Sequence, residues 1–289
     1  MSPVVGKSHA PAAVLARRTA TKTVAYAFLG MSAAILVFPF VWMLSSSFKP
    51  FTEIFAGDAF LPREATAQNY VDLFQSGGAL PALRNSLFIA TSFTVLAVFL
   101  CSLGGYAFAK FRFPGRTVLF NFILATLTIP LAAILVPLFV MMRNTFDWID
   151  TPWPLIIPGA ANAFGIFFMR QYMQSIPDEV LDSARVDGAG EFTIFIRVVL
   201  PMAIPGLASL AIIFFMFTWN DFLWPLVVLR SPEMHTVPVM LNALQGPPGR
   251  TAFDLLMAGA VVSVLPLVVV FLFLQRYLMA GITLGAMRE

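Results

Sequence analysis

Ser86-Leu-Phe-Ile-Ala-Thr-Ser-Phe-Thr-Val-Leu-Ala-Val-Phe-Leu-Cys-Ser-Leu-Gly-Gly-Tyr-Ala-Phe108 runs for 23 residues without one Asp, Glu, Lys or Arg. About 20 mostly apolar residues span the hydrocarbon core of a bilayer as a helix, so this stretch reads as a transmembrane span. Five more stretches of 19 or more residues share the property. They lie between Lys22 and Lys49, Arg116 and Arg143, Asp150 and Arg170, Arg197 and Asp221, and Asp254 and Arg276. The expected fold class is therefore an all-α polytopic membrane protein with six transmembrane helices. Its spans are drawn over Val24–Met43, Ser86–Phe108, Val118–Met142, Pro152–Met169, Met202–Val228 and Leu255–Leu274. The whole 289-residue chain agrees: 59% of it is hydrophobic and 11% charged, against about 25% charged in a soluble domain, and mean hydropathy is +0.84. A soluble enzyme and a disordered chain are both excluded at this step.

The remaining charges set the orientation. With the N-terminus inside, the inner segments carry twelve Lys and Arg and the outer segments six, which the positive-inside tendency reads as both termini in the cytoplasm. The net charge of +3 is spread over helix ends, as membrane anchors are, so it gives no reason to expect nucleic acid. Residues 1–23 form a basic N-terminal tail. They could imitate the start of a signal peptide, but the apolar run that follows is too long and lacks a clear small-residue cleavage site, so an uncleaved first span is expected. Residues 24–277 form the membrane domain and 278–289 a cytoplasmic C-terminal tail. His9 and His235 lie in flanking segments, Cys101 is the only cysteine, and no metal-ligand spacing or internal disulfide is available. Prolines such as Pro130, Pro137 and Pro205 predict kinked spans, and Gly104, Gly105, Gly159 and Gly165 would permit close helix approach.

One inner loop is built like a device. It reads Ser175-Ile-Pro-Asp-Glu-Val-Leu-Asp-Ser-Ala-Arg-Val-Asp-Gly-Ala-Gly-Glu-Phe-Thr-Ile-Phe-Ile-Arg-Val-Val-Leu-Pro201. Pro177 suits the first helical position, and Asp178 and Glu179 favour the positive end of a helix dipole. Gly188 can end that helix in a left-handed conformation. A second helix starts near Gly190, with Phe192, Phe195, Ile196 and Val199 on one face, and Pro201 closes it. Two short helices could lie on the lipid surface. The first, however, carries Asp178, Glu179, Asp182 and Asp187, and an anionic cytoplasmic leaflet repels them. Docking into a groove of a cytoplasmic protein fits better.

Asp182-Ser-Ala-Arg-Val-Asp-Gly-Ala189, followed by Val199-Leu-Pro201, resembles the EAA loop of ABC importer permeases, in the Asp-Gly-Ala form of the carbohydrate, maltose-type (MalG-like) subfamily. Ser45-Ser-Ser-Phe-Lys49, Asn85-Ser86, Tyr106-Ala-Phe-Ala-Lys110, Trp219-Asn-Asp-Phe-Leu-Trp-Pro225 and Gly281-Ile-Thr-Leu-Gly-Ala286 resemble the same family, in order, over nearly all of residues 24–289. Asp182 and Ser183 depart from the family's Glu and Ala, which shortens the reach of the first carboxylate. The resemblance implies an importer of a sugar or oligosaccharide in a bacterial or archaeal cytoplasmic (inner) membrane. Its partners would be a second homologous permease, two ATP-binding-cassette ATPase subunits and an extracytoplasmic solute-binding protein. It also implies that the loop, residues 176–201, couples to the ATPase through Asp182, Ser183, Ala184, Asp187, Gly188, Ala189, Phe192, Phe195 and Pro201. Packing within this chain remains open for the two phenylalanines.

No G-x-x-x-x-G-K-[ST] run occurs, so the chain itself is expected to be non-catalytic and to bind no cofactor. ATP and magnesium would be used by the partner. Candidate substrate-path residues are Asn85, Asn162, Trp219, Asn220 and Asp221, because polar groups beside a span are functional candidates. Interfacial capping serves Asp221 equally well, since it stands about 28 Å along its helix from the inner side. A polyol or glycerol phosphate is an alternative cargo. An ion-driven transporter would need buried midplane charges and two related halves, which are not evident. A purely structural anchor for a cytoplasmic enzyme would bind its partner without transport.

Overall fold

The computed structural model describes residues 12–56, 60–246 and 252–286. The ends of both tails and the outer-loop tip Pro247-Pro-Gly249 lie outside the described residues. The helices are α1 (Ala12–Ser46), α2 (Phe51–Ile54), α3 (Gln68–Gln75), α4 (Ala79–Lys110), α5 (Arg116–Ala125), α6 (Leu131–Asn144), α7 (Trp153–Ile156) and α8 (Ala163–Met173). They continue as α9 (Asp178–Val186), α10 (Glu191–Ile194), α11 (Leu200–Met202), α12 (Ile204–Asn220), α13 (Leu223–Val228), α14 (Val237–Leu244) and α15 (Phe253–Ala286).

Three uninterrupted helical stretches are long and apolar enough to cross a membrane: Thr21–Ser46, Ala79–Lys110 and Phe253–Phe273. They contain the first and second expected spans and all but the last residue of the sixth. The other three are not single rods. Val118–Met142 is broken at Pro130, where Ile129 turns extended (φ −85°, ψ 112°), as a residue before proline tends to. The two arms meet at 98°. Met202–Val228 is interrupted at both ends. Residues Glu191–Met202 meet α12 at 80° across Ala203, and Asp221 is extended between α12 and α13. Pro152–Met169 divides into the single turn α7 and the 11-residue α8. Composition gave each stretch its apolar length, but proline and capping residues set where each helix stops. Asn162 starts α8 by accepting the Gly165 N–H at 2.8 Å, an N-cap.

Helix α4 is the central column. Its 32 residues run about 48 Å and reach all three hydrophobic clusters. Near its C-terminal end Cys101, Tyr106 and Phe108 pack with Met169, Met173, Leu181, Phe195 and Val199. Near its N-terminal end Ala79, Ala82 and Ala90 pack with Leu73, Trp219, Val237 and Ala258. On a third side Ile89 packs with Met142, Leu155, Trp224 and Val228. The approach of α8 to α4 is close enough to require glycine. A Cβ on Gly105 would stand 2.6 Å from Met169 Cβ, and one on Gly165 would stand 2.5 Å from Cys101 Sγ. Such contacts between small residues let membrane helices pack without a hydrophobic driving force.

Candidate functional site

The loop between α8 and α12 forms as two short helices around a glycine turn. Pro177 stands one residue before α9, in extended conformation, and Asp178 and Glu179 occupy its first turn. At the other end Gly188 adopts φ +84°. The Gly188 N–H donates to Arg185 O and the Ala189 N–H to Ala184 O, both at 3.0 Å, which is a Schellman turn. Nothing crowds a Cβ at Gly188, so conformation, not space, selects glycine there.

The loop is braced from within. Arg185 donates to Asp182 at 2.7 Å and to both oxygens of Glu191 at 2.7 and 3.3 Å. Glu191 also accepts from the Tyr106 hydroxyl of α4 at 3.1 Å. Arg185, followed by Tyr106, holds the Glu191 carboxyl below the ordinary range against the opposing effect of burial. Lys110, at the end of α4, donates to Ile176 O at 2.5 Å and to Asp178 at 2.6 Å. That ammonium holds the exposed Asp178 carboxyl below its usual range.

Of the residues expected to couple, Asp182, Ser183, Asp187, Gly188, Phe192 and Pro201 are exposed, while Ala184 and Ala189 are half-buried. Phe195 must be corrected. It is 1% exposed and packs against Tyr106 and Phe99 of its own chain, with ring centroids 5.4 and 6.3 Å away. The aromatic periodicity does put both phenylalanines on one side, with ring centroids 6.3 Å apart, but Tyr106 and Phe99 cover the second. Phe192, 64% exposed, is left as the aromatic on the loop surface. Pro201 does not close the helix; the axis turns two residues later, at Ala203.

The substrate-path candidates separate. Asn162 and Asp221 line one cavity of about 530 Å³ between α4, α6, α7, α8, α12 and α13, walled by Phe93, Phe214, Phe217 and Trp224. Thr218 and Thr236 also line it. The Thr236 Oγ1 is buried with no hydrogen-bond partner among the described residues. Sequence reading missed both threonines, because no spacing links 218 and 236 to Asn162. The other three candidates have structural tasks. Trp219 is 1% exposed and donates to Ser263 O at 3.1 Å. Asn220 donates to Met216 O within its own helix at 2.7 Å. Asn85 donates to Glu233 O at 2.7 Å and His235 O at 3.1 Å. No group of three or more His, Cys, Asp or Glu that could hold a metal exists among the described residues.

A helical chain kinked at proline, with apolar spans around one column and a braced two-helix loop at its end, has the architecture of a membrane-embedded permease. The chain belongs to the binding-protein-dependent transport system inner membrane component family, which matches residues 102–283. It is similar to the arabinooligosaccharides transport system permease protein AraQ of Halalkalibacterium halodurans, with 37% identity over 92% of this chain and 95% of that one. It is also similar to the lactose transport system permease protein LacG of Rhizobium radiobacter, with 32% identity over 94% and 98%. A crystal structure of a bacterial ABC transporter involved in the import of the acidic polysaccharide alginate contains a chain that superposes with a TM-score of 0.81. That likeness has 25% identity and covers 96% of this chain and 100% of the other. These relatives are transport permeases, not catalytic subunits.

Proposed function

We propose that this permease forms half of the translocation path of a sugar or oligosaccharide importer and is driven by a separate ATPase. The similarity to permeases named for arabino-oligosaccharides and lactose supports the cargo class. Six crossings are proposed within residues 24–277: three uninterrupted helices, the bent pair α5 and α6 as the third, α7 with α8 as the fourth, and α12 with α13 as the fifth. Both tails, residues 1–23 and 278–289, face the cytoplasm. The partners are a second homologous permease, two ATPase subunits that use ATP and magnesium, and an extracytoplasmic binding protein. This chain binds no cofactor of its own.

The observation that carries the coupling assignment is the loop's combination of a braced interior with an exposed face. Arg185 fixes α9 against α10, while Asp182, Ser183, Asp187, Gly188 and Phe192 remain exposed. A joint that transmits a rigid-body movement needs both properties. Residues 176–201 are assigned to this joint, with Phe195 and Val199 rooting it in the core. The cavity holding Asn162, Thr218, Asp221 and Thr236 is assigned to the path, its aromatic walls suited to the apolar faces of sugar rings and its few polar groups to hydroxyls.

The test is uptake by the reconstituted complex of arabinotriose, lactose and maltotriose, with ATP hydrolysis followed in parallel. Gly188→Pro demands φ near −65° where +84° is required. It should leave the protein in the membrane and the ATPase active while uptake falls at least tenfold. Normal sugar-stimulated uptake by Gly188→Pro refutes the coupling assignment, and uptake by this chain alone without ATP refutes the importer reading.

A further inference from the structure

Two motifs remain without a task in the coupling reading: Tyr106-Ala-Phe-Ala-Lys110 and Asn85-Ser86. They lie toward opposite ends of α4, and each is tied to a different loop. At the inner end Lys110 donates to Ile176 O and Asp178, just where α9 begins. Its side chain is only 6% exposed, so these partners compensate a largely desolvated charge. One turn back, the Tyr106 ring sits between Phe111 and Phe195, with centroids 5.3 and 5.4 Å away. Its hydroxyl reaches Glu191. Asp182, on the exposed face of the loop, is thereby joined to α4 through an unbroken series of side chains: Asp182, Arg185, Glu191, Tyr106. At the outer end Asn85 holds the carbonyls of Glu233 and His235, and the Ser86 hydroxyl accepts the Val237 N–H at 2.8 Å.

The covalent route out of the loop has a different character. It passes through the π-type turn Phe195–Val199, then Pro201, then the 80° bend at Ala203 before α12 begins. Wide turns and proline sites are where helices bend. The chain connection into α12 is therefore a hinge, whereas the side-chain connection to α4 is a brace.

We propose that α4 carries the movement of the two-helix loop across the membrane to residues 233–237, and that Lys110 and Tyr106 are the positioning residues that latch the loop to it. The inference rests on the coupling assignment above and adds the direction the movement takes. When the ATPase acts, the loop and the inner end of α4 move as one body, and α12 swings against both.

The experiment uses the full complex with its ATPase subunits in nanodiscs, in a Cys101→Ser background, with spin-label pairs at Glu179 and Leu103 or at Glu179 and Met216. All three label sites are exposed, and none belongs to the residues assigned to docking. On adding ATP and vanadate, the Glu179–Met216 distance should shift by more than about 2 Å, the scale of helix shifts in switching proteins. The Glu179–Leu103 distance should stay fixed. Lys110→Met and Tyr106→Phe should each broaden the Glu179–Leu103 distribution and make it respond to nucleotide, and Lys110→Arg should restore it. The latch is overturned if the wild-type Glu179–Leu103 distance moves as far as Glu179–Met216, or if both latch variants leave it fixed. If neither wild-type distance responds to nucleotide, the coupling assignment itself falls.

Discussion

Helices α1 and α4 look alike in sequence and have opposite fates. Their membrane-crossing stretches have mean hydropathies of 2.1 and 2.2. Yet none of the most apolar stretch of α1 is buried, and a third of that of α4 is. Along α1, Tyr26, Phe28, Leu36 and Phe38 are all exposed, and the packing is concentrated at its C-terminal foot around Ser45, Ser46, Ser47 and Lys49. There the Asn69 side chain donates to Ser47 O and Lys49 O at 2.9 and 2.8 Å. Along α4, small residues (Ala82, Ala90, Ala97, Cys101, Gly105) are buried one after another. Hydropathy measures what a helix loses in water and is the same for both. Packing in a bilayer depends on how closely backbones approach, and that requires matching small residues on a neighbour, which α8 supplies at Gly165.

Substitutions on the two helices should separate this comparison. The largest effect is expected at the aromatic contact on α4. Phe195→Ala empties a fully buried site beside Phe99 and Tyr106 and should cost about 3–5 kcal/mol. Phe28→Ala on α1, 69% exposed, should change stability by less than about 0.5 kcal/mol. Thermal unfolding of the detergent-solubilised chain compares them, and equal losses would break the distinction. Next comes Gly105→Val, which drives a side chain into the Met169–Arg170 backbone. It should cost about 1–3 kcal/mol or more, whereas Gly30→Val meets nothing within 4 Å and should be tolerated. Asn85→Leu strands two carbonyls at the N-terminal end of α4 and should cost about 1–3 kcal/mol. Hydrogen exchange should show it as earlier opening of residues 232–240, and unchanged protection there would remove Asn85 from its clamping task.

The smallest effect concerns pH. Lys110 lowers the Asp178 carboxyl and Arg185 that of Glu191. A carboxylate lowered on folding contributes stability that is present above its unfolded value and lost as pH falls through the folded one. Unfolded carboxyls titrate near about 4. The mobility of a label at Ser183 should therefore be flat across the neutral range and rise only in acid below that value. Loosening at neutral pH would contradict the salt-bridge brace.

The two-helix loop was unusually legible in the sequence. Its features are local: a proline and two acids start a helix, and a glycine with φ +84° ends it within eleven residues. The choice between docking and internal packing for Phe195 was not legible, because the rings that cover it, Phe99 and Tyr106, are distant in sequence. The cavity was only half legible. Asn162 and Asp221 stood out as polar groups beside apolar runs. Thr218 and Thr236 look like ordinary helix-end residues until α12 and the segment before α14 are folded against one another. The structure also assigns Trp219 and Asn85 to bonds with backbone 44 and about 150 residues away, partners that no local pattern announces.

By itself the sequence determined that this chain lives in a membrane, roughly where its apolar stretches begin and end, and that the segment after α8 folds as two helices around a glycine. Each of these follows from single residues and their near neighbours: transfer energies, proline and glycine stereochemistry, and charges at helix ends. Only the tertiary structure decided that α4 and not α1 is the central column, that three apolar stretches are broken or bent, and that Lys110 and Tyr106 tie the loop to α4. Those outcomes depend on which distant surfaces fit each other, and fit is a property of pairs.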